Sequence, residues 1–163
     1  MFDFLKKKGD GESTPVTQLK AYVSGEAIDI ADVKDGMFSE KMLGDGMAIR
    51  PSDETVVAPC DGEITVIAET KHAIGLQVNN GLQLLIHIGL DTVSMNGRGF
   101  RVFVKTGQKV SAGQKLVSFS KADIAEAGYS DTVILVFVEN EKEVQSSFHY
   151  GSVEVGKTVI TDF

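Results

Sequence analysis

The sequence predicts an all-β protein, a compact antiparallel β-sandwich or barrel with one or two short helical turns. Three observations carry this reading. From about Thr17 onward, short runs of strand-forming residues recur between Gly, Asn, Asp and Pro punctuation. The segment Val133-Ile134-Leu135-Val136-Phe137-Val138 is continuously apolar, as expected of a strand buried on both faces. Helix signals are few and short.

In chain order, residues 1–16 read as a flexible N-terminal arm. Gly9-Asp10-Gly11-Glu12-Ser13-Thr14-Pro15 has nothing to bury and several breakers. Phe2, Phe4 and Leu5, followed by Lys6-Lys7-Lys8, would make at most a weak membrane tether. Residues 17–163 fit a single domain of the usual size, roughly 100–200 residues. Strands are expected at 64–67, 101–105, 115–119, 133–138 and 153–155. Ser120 can cap a short helix that runs to Ala127 and stops at Gly128. Residues 39–43 can form one more helical turn before Gly44. Two internal echoes are visible. Residues 21–26 resemble residues 58–63, and Gly107-Gln108-Lys109-Val110 recurs at once as Gly113-Gln114-Lys115-Leu116. They are too few for a solenoid, and they suit a sandwich or barrel of similar turn-and-strand units.

Composition narrows the function classes. The apolar fraction of 42% and charged fraction of 24% are those of a soluble globular chain. A net charge of −7 argues against nucleic acid as a partner, because phosphates would be repelled. Cys60 is the only cysteine, so no internal disulfide can form, which fits a reducing compartment. No apolar run reaches the ~20 residues needed to span a bilayer. The N-terminus lacks the order of a signal peptide, since its short apolar part precedes its lysines. The expected location is the cytoplasm.

His72 and His87 flank Asn79-Asn80-Gly81, a strong hairpin signal. A two-residue loop at Asn80-Gly81 places His72 diagonal to His87, and one at Asn79-Asn80 places them directly opposite. Either register puts both imidazoles on one face, shared with Ile74, Leu76, Val78 and Leu85. A three-residue loop would put them on opposite faces. Imidazole is a nucleophile near neutral pH. One ring can attack phosphorus while its neighbour steadies the phosphoryl oxygens as charge develops. No nucleotide-binding signature is present, so the phosphoryl donor is not expected to be a nucleotide bound here. Zinc is the competing use of the pair. It takes four ligands, so His72 and His87 would need completion by Asp91 or by a partner protein. His149 carries no partner signal and reads as an ordinary loop residue.

The segment Gly81-Leu82-Gln83-Leu84-Leu85-Ile86-His87-Ile88-Gly89-Leu90-Asp91-Thr92-Val93 resembles the phosphorylation-site signature of the glucose-type enzyme IIA family of the bacterial sugar phosphotransferase system. Three further blocks agree: 39–49 with its glycine-rich block, 56–62 with its central turn, and Glu69-Thr70-Lys71-His72-Ala73 with its second histidine block. The likeness covers roughly 17–161. It implies the duplicated-hybrid β-sandwich of that family and a phosphotransferase component that carries a phosphoryl group between proteins. His87 would be the phosphoacceptor, loaded by the phosphohistidine of HPr and discharged to the cysteine of a IIB domain for sugar uptake. His72 would stabilise the transferring group, and Thr70 would orient His72. The carbonyl of Gly89 would hold the other nitrogen of His87, and Asp91 would lie at the edge of the site. Met37, Phe38, Met42, Leu43 and Met47 fit the apolar rim of a surface that docks successive partners, regulatory targets among them. No cofactor is required, and a zinc ion bridged to a partner is the one candidate. Cys60 follows Pro59 in a turn and lacks the context of a IIB phosphocysteine. The IIB and transport domains are expected on another polypeptide. Two other classes remain in competition. A lipoyl- or biotinyl-carrier module would need a lysine exposed at a hairpin tip in a specific motif. A zinc hydrolase would need at least three protein ligands.

Overall fold

The computed structural model describes residues 15–34, 38, 44–138 and 147–163. Its strands are β1 (Gln18–Lys20), β2 (Gly25–Asp29), β3 (Gly46–Pro51), β4 (Thr55–Val57), β5 (Gly62–Ile67), β6 (Ala73–Gln77), β7 (Gln83–Ile88), β8 (Phe100–Val102), β9 (Lys109–Val110), β10 (Lys115–Phe119), β11 (Val133–Val138), β12 (Ser147–Phe148), β13 (Gly151–Val153) and β14 (Val159–Asp162). One short helix, α1 (Lys121–Glu126), and two 3-10 turns, Ile30–Asp32 and Thr92–Met95, complete the described elements.

All strand pairs run antiparallel. A large sheet has the order β13-β2-β3-β11-β7-β6-β5-β9, and two smaller sheets have the orders β1-β14-β12 and β4-β10-β8. Their inner faces share one core. Leu19, Ile160, Leu116 and Phe100 of the small sheets join Ile49, Ile74, Leu76, Leu84, Ile86 and Leu135 of the large one. The central strand β11 is buried along both faces, as its unbroken apolar run predicts. Its inner residues enter the main core, while Ile134 and Val136 enter a second apolar cluster on the outer face with Ile30, Val33, Phe38 and Ala48.

The expected strand at 101–105 ends early, at Val102, because Lys105 to Gln108 form a tight turn. The one expected at 153–155 lies at Gly151–Val153 instead. There the amide of Glu154 donates to Thr158 Oγ1 (2.9 Å) and that of Val155 to Ser24 Oγ (2.9 Å), so neither feeds a ladder. The helix after Ser120 forms as its capping residue predicts, with Ser120 Oγ accepting from the amide of Asp123. The expected turn at 39–43 and most of the N-terminal arm lie outside the described residues.

The doubled Gly-Gln-Lys echo has a structural meaning. Gln108 donates its amide to the Lys105 carbonyl, and Gln114 does the same to Ser111. Each turn places glycine, Gly107 or Gly113, third and at φ +87°, as a type II turn requires. Each glutamine side chain then accepts from the amide that opens its own turn, at 3.0 Å and 3.1 Å. The repeated triplet is thus one turn used twice.

Tyr22 is fully buried, and its hydroxyl donates to the carbonyl of Val133 at the start of β11 (2.8 Å). This bond ties the 21–24 segment to the central strand. The Tyr22→Phe variant should lose about 1–2 kcal/mol of unfolding free energy in a denaturant titration, because it leaves a buried acceptor with one partner fewer.

Candidate functional site

The hairpin between β6 and β7 decides where the two histidines go. Its observed register pairs Ala73 with His87 and Gln77 with Gln83. Val78 and Leu82 then close a three-residue loop at 79–81, with Val78 N–H donating to Leu82 O (2.8 Å) and Gly81 N–H to Val78 O (3.0 Å). Both two-residue registers are therefore overturned. Inside the loop Asn80 Oδ1 accepts from the amide of Leu82 (2.9 Å), and both asparagines also bond outside the hairpin. Asn79 Oδ1 accepts from the amide of Val16, and Asn80 Nδ2 donates to the carbonyl of Val16. The two asparagines are committed to a segment more than sixty residues away.

In this register Ile74 and Leu76 face the main core, opposite to His87, and of the expected neighbours only Leu85 shares the outer face with it. A regular ladder would send His72 to the far side as well. It does not, because β6 begins only at Ala73. Lys71 adopts a left-handed conformation (φ 65°), which breaks the strand geometry one residue before His72. The imidazoles of His72 and His87 meet with ring centroids 4.8 Å apart, edge to face at 82°. The expected convergence holds, and a bent strand end produces it.

Each ring is held at Nδ1. His87 Nδ1 lies 2.8 Å from the carbonyl oxygen of Gly89. A carbonyl only accepts, so the proton sits on Nδ1 and the lone pair on Nε2. His72 Nδ1 lies 2.8 Å from Thr70 Oγ1. Burial lowers the pKa of His72, against a smaller rise from the Thr70 backbone, so the ring is neutral at pH 7. His72 is buried and His87 half-buried.

The floor beside His87 is apolar. Ile28, Ala48, Ile134 and His87 form one row across β2, β3, β11 and β7, and Val136 with Leu85 forms the next. Phe38 closes over this floor, its ring 5.1 Å from that of His87. At the far side Val66 pairs with Gly75 and is half exposed. Val93, also exposed, stands in the turn that follows β7.

That turn is built on Gly89, whose φ is +79°. A Cβ there would lie 2.4 Å from Thr92 Cγ2 and 2.8 Å from the Ser130 carbonyl, so no side chain fits. Thr92, fully buried, donates its hydroxyl to the Ile88 carbonyl at 2.5 Å.

Comparison with known proteins identifies the family of the chain. Residues 17–143 match the family described as the phosphoenolpyruvate-dependent sugar phosphotransferase system, EIIA 1. The chain belongs to that family. A glucose-specific EIIA component of Halalkalibacterium halodurans is 46% identical over 86% of this chain and 81% of its own length. A glucoside-specific EIICBA component of Staphylococcus carnosus is 41% identical over 96% of this chain, which spans only 23% of that longer protein. The glucose permease IIA of Mycoplasma capricolum superposes with a TM-score of 0.82 at 37% identity, over 91% of this chain and 96% of that one. The antiparallel fold is that of the family, and the role is that of a phosphocarrier, a phosphotransferase component of the sugar phosphotransferase system.

Within this EIIA 1 chain the remaining site residues fall out as follows. Asp91 is exposed in a left-handed conformation (φ 62°) that opens the Thr92–Met95 turn, and its side chain makes no capping bond. Met47 does not line the rim. It is fully buried in the core, where its sulfur receives the Thr161 hydroxyl. The pairing of β3 with β11 turns that residue inward. Phe38 is itself buried, so it packs against His87 more than it presents a face. Met37, Met42 and Leu43 lie outside the described residues. His149 is no plain loop residue, since its Nε2 meets Asp162 Oδ2 at 2.6 Å and holds that carboxyl below its ordinary pKa. Burial and the neighbouring Asp61 push the Cys60 thiol up to about 12, which removes it as a nucleophile. Among the described residues, no group of three or more His, Cys, Asp or Glu is placed to hold a metal ion, and no helix is long and apolar enough to cross a membrane. Ile134, Val136 and Val66 lie on the His87 face of the sheet, and the sequence alone did not single them out for it. Ile134 and Val136 could have been found, because a strand apolar on both faces must line two clusters.

Gly89→Ala should destabilise the fold by roughly 2–4 kcal/mol in denaturant titration, the combined cost of a left-handed alanine and an unrelieved clash. His72 should titrate by NMR below the ordinary histidine value of about 6.5. Its lowered pKa means the unfolded ring takes up a proton before the folded ring does. Stability should therefore fall as pH drops from about 6.5 toward the folded pKa, and His72→Gln should flatten that part of the profile.

Proposed function

We propose that His87 accepts a phosphoryl group on Nε2 from the phosphohistidine of HPr and passes it to a cysteine of a IIB domain, which uses it for sugar uptake. The observation that carries this reading is the Gly89 carbonyl 2.8 Å from His87 Nδ1, with a second imidazole 4.8 Å away. As Nε2 bonds to phosphorus, the donor's N–P bond breaks and the donor imidazole leaves neutral. The Nδ1 proton stays in place, so the step moves no proton. Positive charge grows on the His87 ring, and the Gly89 carbonyl dipole is aimed at it. We assign the Thr70 hydroxyl as the donor to His72 Nδ1, which places the His72 proton on Nε2 as a donor to the phosphoryl oxygens. Such preorganised donors are worth about 10²–10³ in rate.

The partly exposed Ile28, Leu85 and Leu90, together with the half-exposed Val66 and Val93, suit docking of successive partners on one face. Phe38 covers the buried floor beside His87. Asp91 stands at its edge. Residues 17–163 serve as one such domain in the cytoplasm. The transfer itself needs no cofactor. A zinc ion at this place would take two ligands from His72 and His87 and the rest from a bound partner.

Incubation with phosphoenolpyruvate, enzyme I and HPr, followed by intact-mass measurement, should give one acid-labile phosphoryl adduct that disappears in His87→Ala. His72→Gln should still accept the group but donate it to IIB about 10²–10³-fold more slowly. An adduct that survives in His87→Ala would refute the assignment.

A further inference from the structure

The carbonyl that fixes the His87 proton is itself held in place from β11's side of the molecule. The peptide joining Gly89 to Leu90 offers its C=O to His87 Nδ1 and its N–H to the Ser130 carbonyl, at 2.8 Å and 3.0 Å. The preceding N–H, that of Gly89, donates to the Thr132 carbonyl at 2.8 Å. Two carbonyls, two residues apart, thus grip both peptide groups that flank Gly89. The spacing of that grip depends on side chains. Ser130 Oγ accepts from the amide of Thr132 (3.3 Å) and lies 3.0 Å from Thr132 Oγ1. Thr132 is buried while Ser130 is exposed. A hydroxyl pair in such a turn sets the backbone conformation between the two residues.

We infer that Ser130 and Thr132 are positioning residues for His87: their hydroxyl pair shapes a two-carbonyl clamp that aims the Gly89 carbonyl at Nδ1. Two physical consequences follow. The clamp fixes the plane of the Gly89–Leu90 peptide, and with it the direction of the acceptor. It also polarises that peptide, since an amide that donates at its N–H accepts more strongly at its C=O. A stronger, better-aimed acceptor keeps the proton on Nδ1 and leaves the lone pair of His87 on Nε2. The second effect matters for phosphoryl transfer only if His87 is the phosphoacceptor, so that part rests on the proposed function. The first is a property of the free protein.

The test uses Ser130→Ala and Thr132→Val, each removing one hydroxyl, with Thr132→Ser as the variant that restores it. Thermal unfolding first establishes that each variant is folded. Imidazole ¹⁵N shifts of His87 then report the tautomer without any partner present. Ser130→Ala should lower the Nδ1–H population relative to wild type, and Thr132→Ser should keep it. Phosphoryl acceptance from HPr should slow about fivefold in Ser130→Ala and Thr132→Val, the scale of one neutral hydrogen bond. Folded Ser130→Ala and Thr132→Val proteins with wild-type ¹⁵N shifts would overturn the clamp. If the shifts move as expected while wild type itself takes no phosphoryl group, the clamp stands and the phosphocarrier assignment of His87 fails.

Discussion

A neutral imidazole has two nitrogens and one proton, and a nucleophilic ring must have that proton fixed on the nitrogen that does not react. In this protein the Nδ1 proton of His87, the proposed phosphoacceptor, is held by one backbone carbonyl, that of Gly89. The carbonyl can reach back to its neighbour two residues earlier only because the chain turns left-handed at once after β7. That turn tolerates no Cβ, since Thr92 and the Ser130 carbonyl occupy the space. The geometry of β7, the identity of residue 89 and the tautomer of His87 are therefore one constraint seen at three levels. The cost of a left-handed residue, about 1–2 kcal/mol for any side chain, is avoided at the position that matters most.

The fold was largely legible, because its strands announce themselves by alternation and punctuation. The apolar run at 133–138 became the central strand, Ser120 capped the helix, and the Gly-Gln-Lys echo became a repeated type II turn. These are local signals, carried by residues within a few positions of one another. What failed was register. Asn79-Asn80-Gly81 is a good two-residue hairpin by its own chemistry, yet the two asparagines bond to Val16 and the loop takes three residues. Asn80 supports that loop locally by accepting from the Leu82 amide, but the bonds to Val16 lie beyond any local window.

The site shows the same division. His72, His87, Thr70 and Gly89 come together as the family resemblance implied, and the hydrogen bonds to each Nδ1 are present. The route to that arrangement differs from the one reasoned from the hairpin. Convergence of the rings depends on Lys71 at φ 65°, a lysine in a conformation it rarely adopts, and nothing in the type of that residue signals it. Met47 failed for a related reason. A methionine beside glycines reads equally as rim or core, and only the pairing of β3 with β11 turns it inward.

The two imidazoles differ in burial, and that difference suits a division of labour. His72 is enclosed, so charging it costs desolvation and it stays neutral. A neutral ring can donate one hydrogen bond without repelling or trapping the group in transit. A charged one would bind a phosphoryl dianion more tightly, but a carrier must release what it holds. His87 is half-buried and open enough to be approached, with its orientation set from behind. That setting reaches well beyond the site. Lys121 at the start of α1 bonds Asp131 (2.7 Å) and the Pro51 carbonyl (2.6 Å), which anchors the segment between Ser130 and Thr132 to the end of β3. The exposed ion pairs of Arg98 with Glu126 and Asp123 add little on their own. The Lys121 contacts are partly buried and hold a stretch of backbone whose carbonyls grip Gly89. The seating of the helix and the orientation of the His87 ring are in this way supported by the same few bonds.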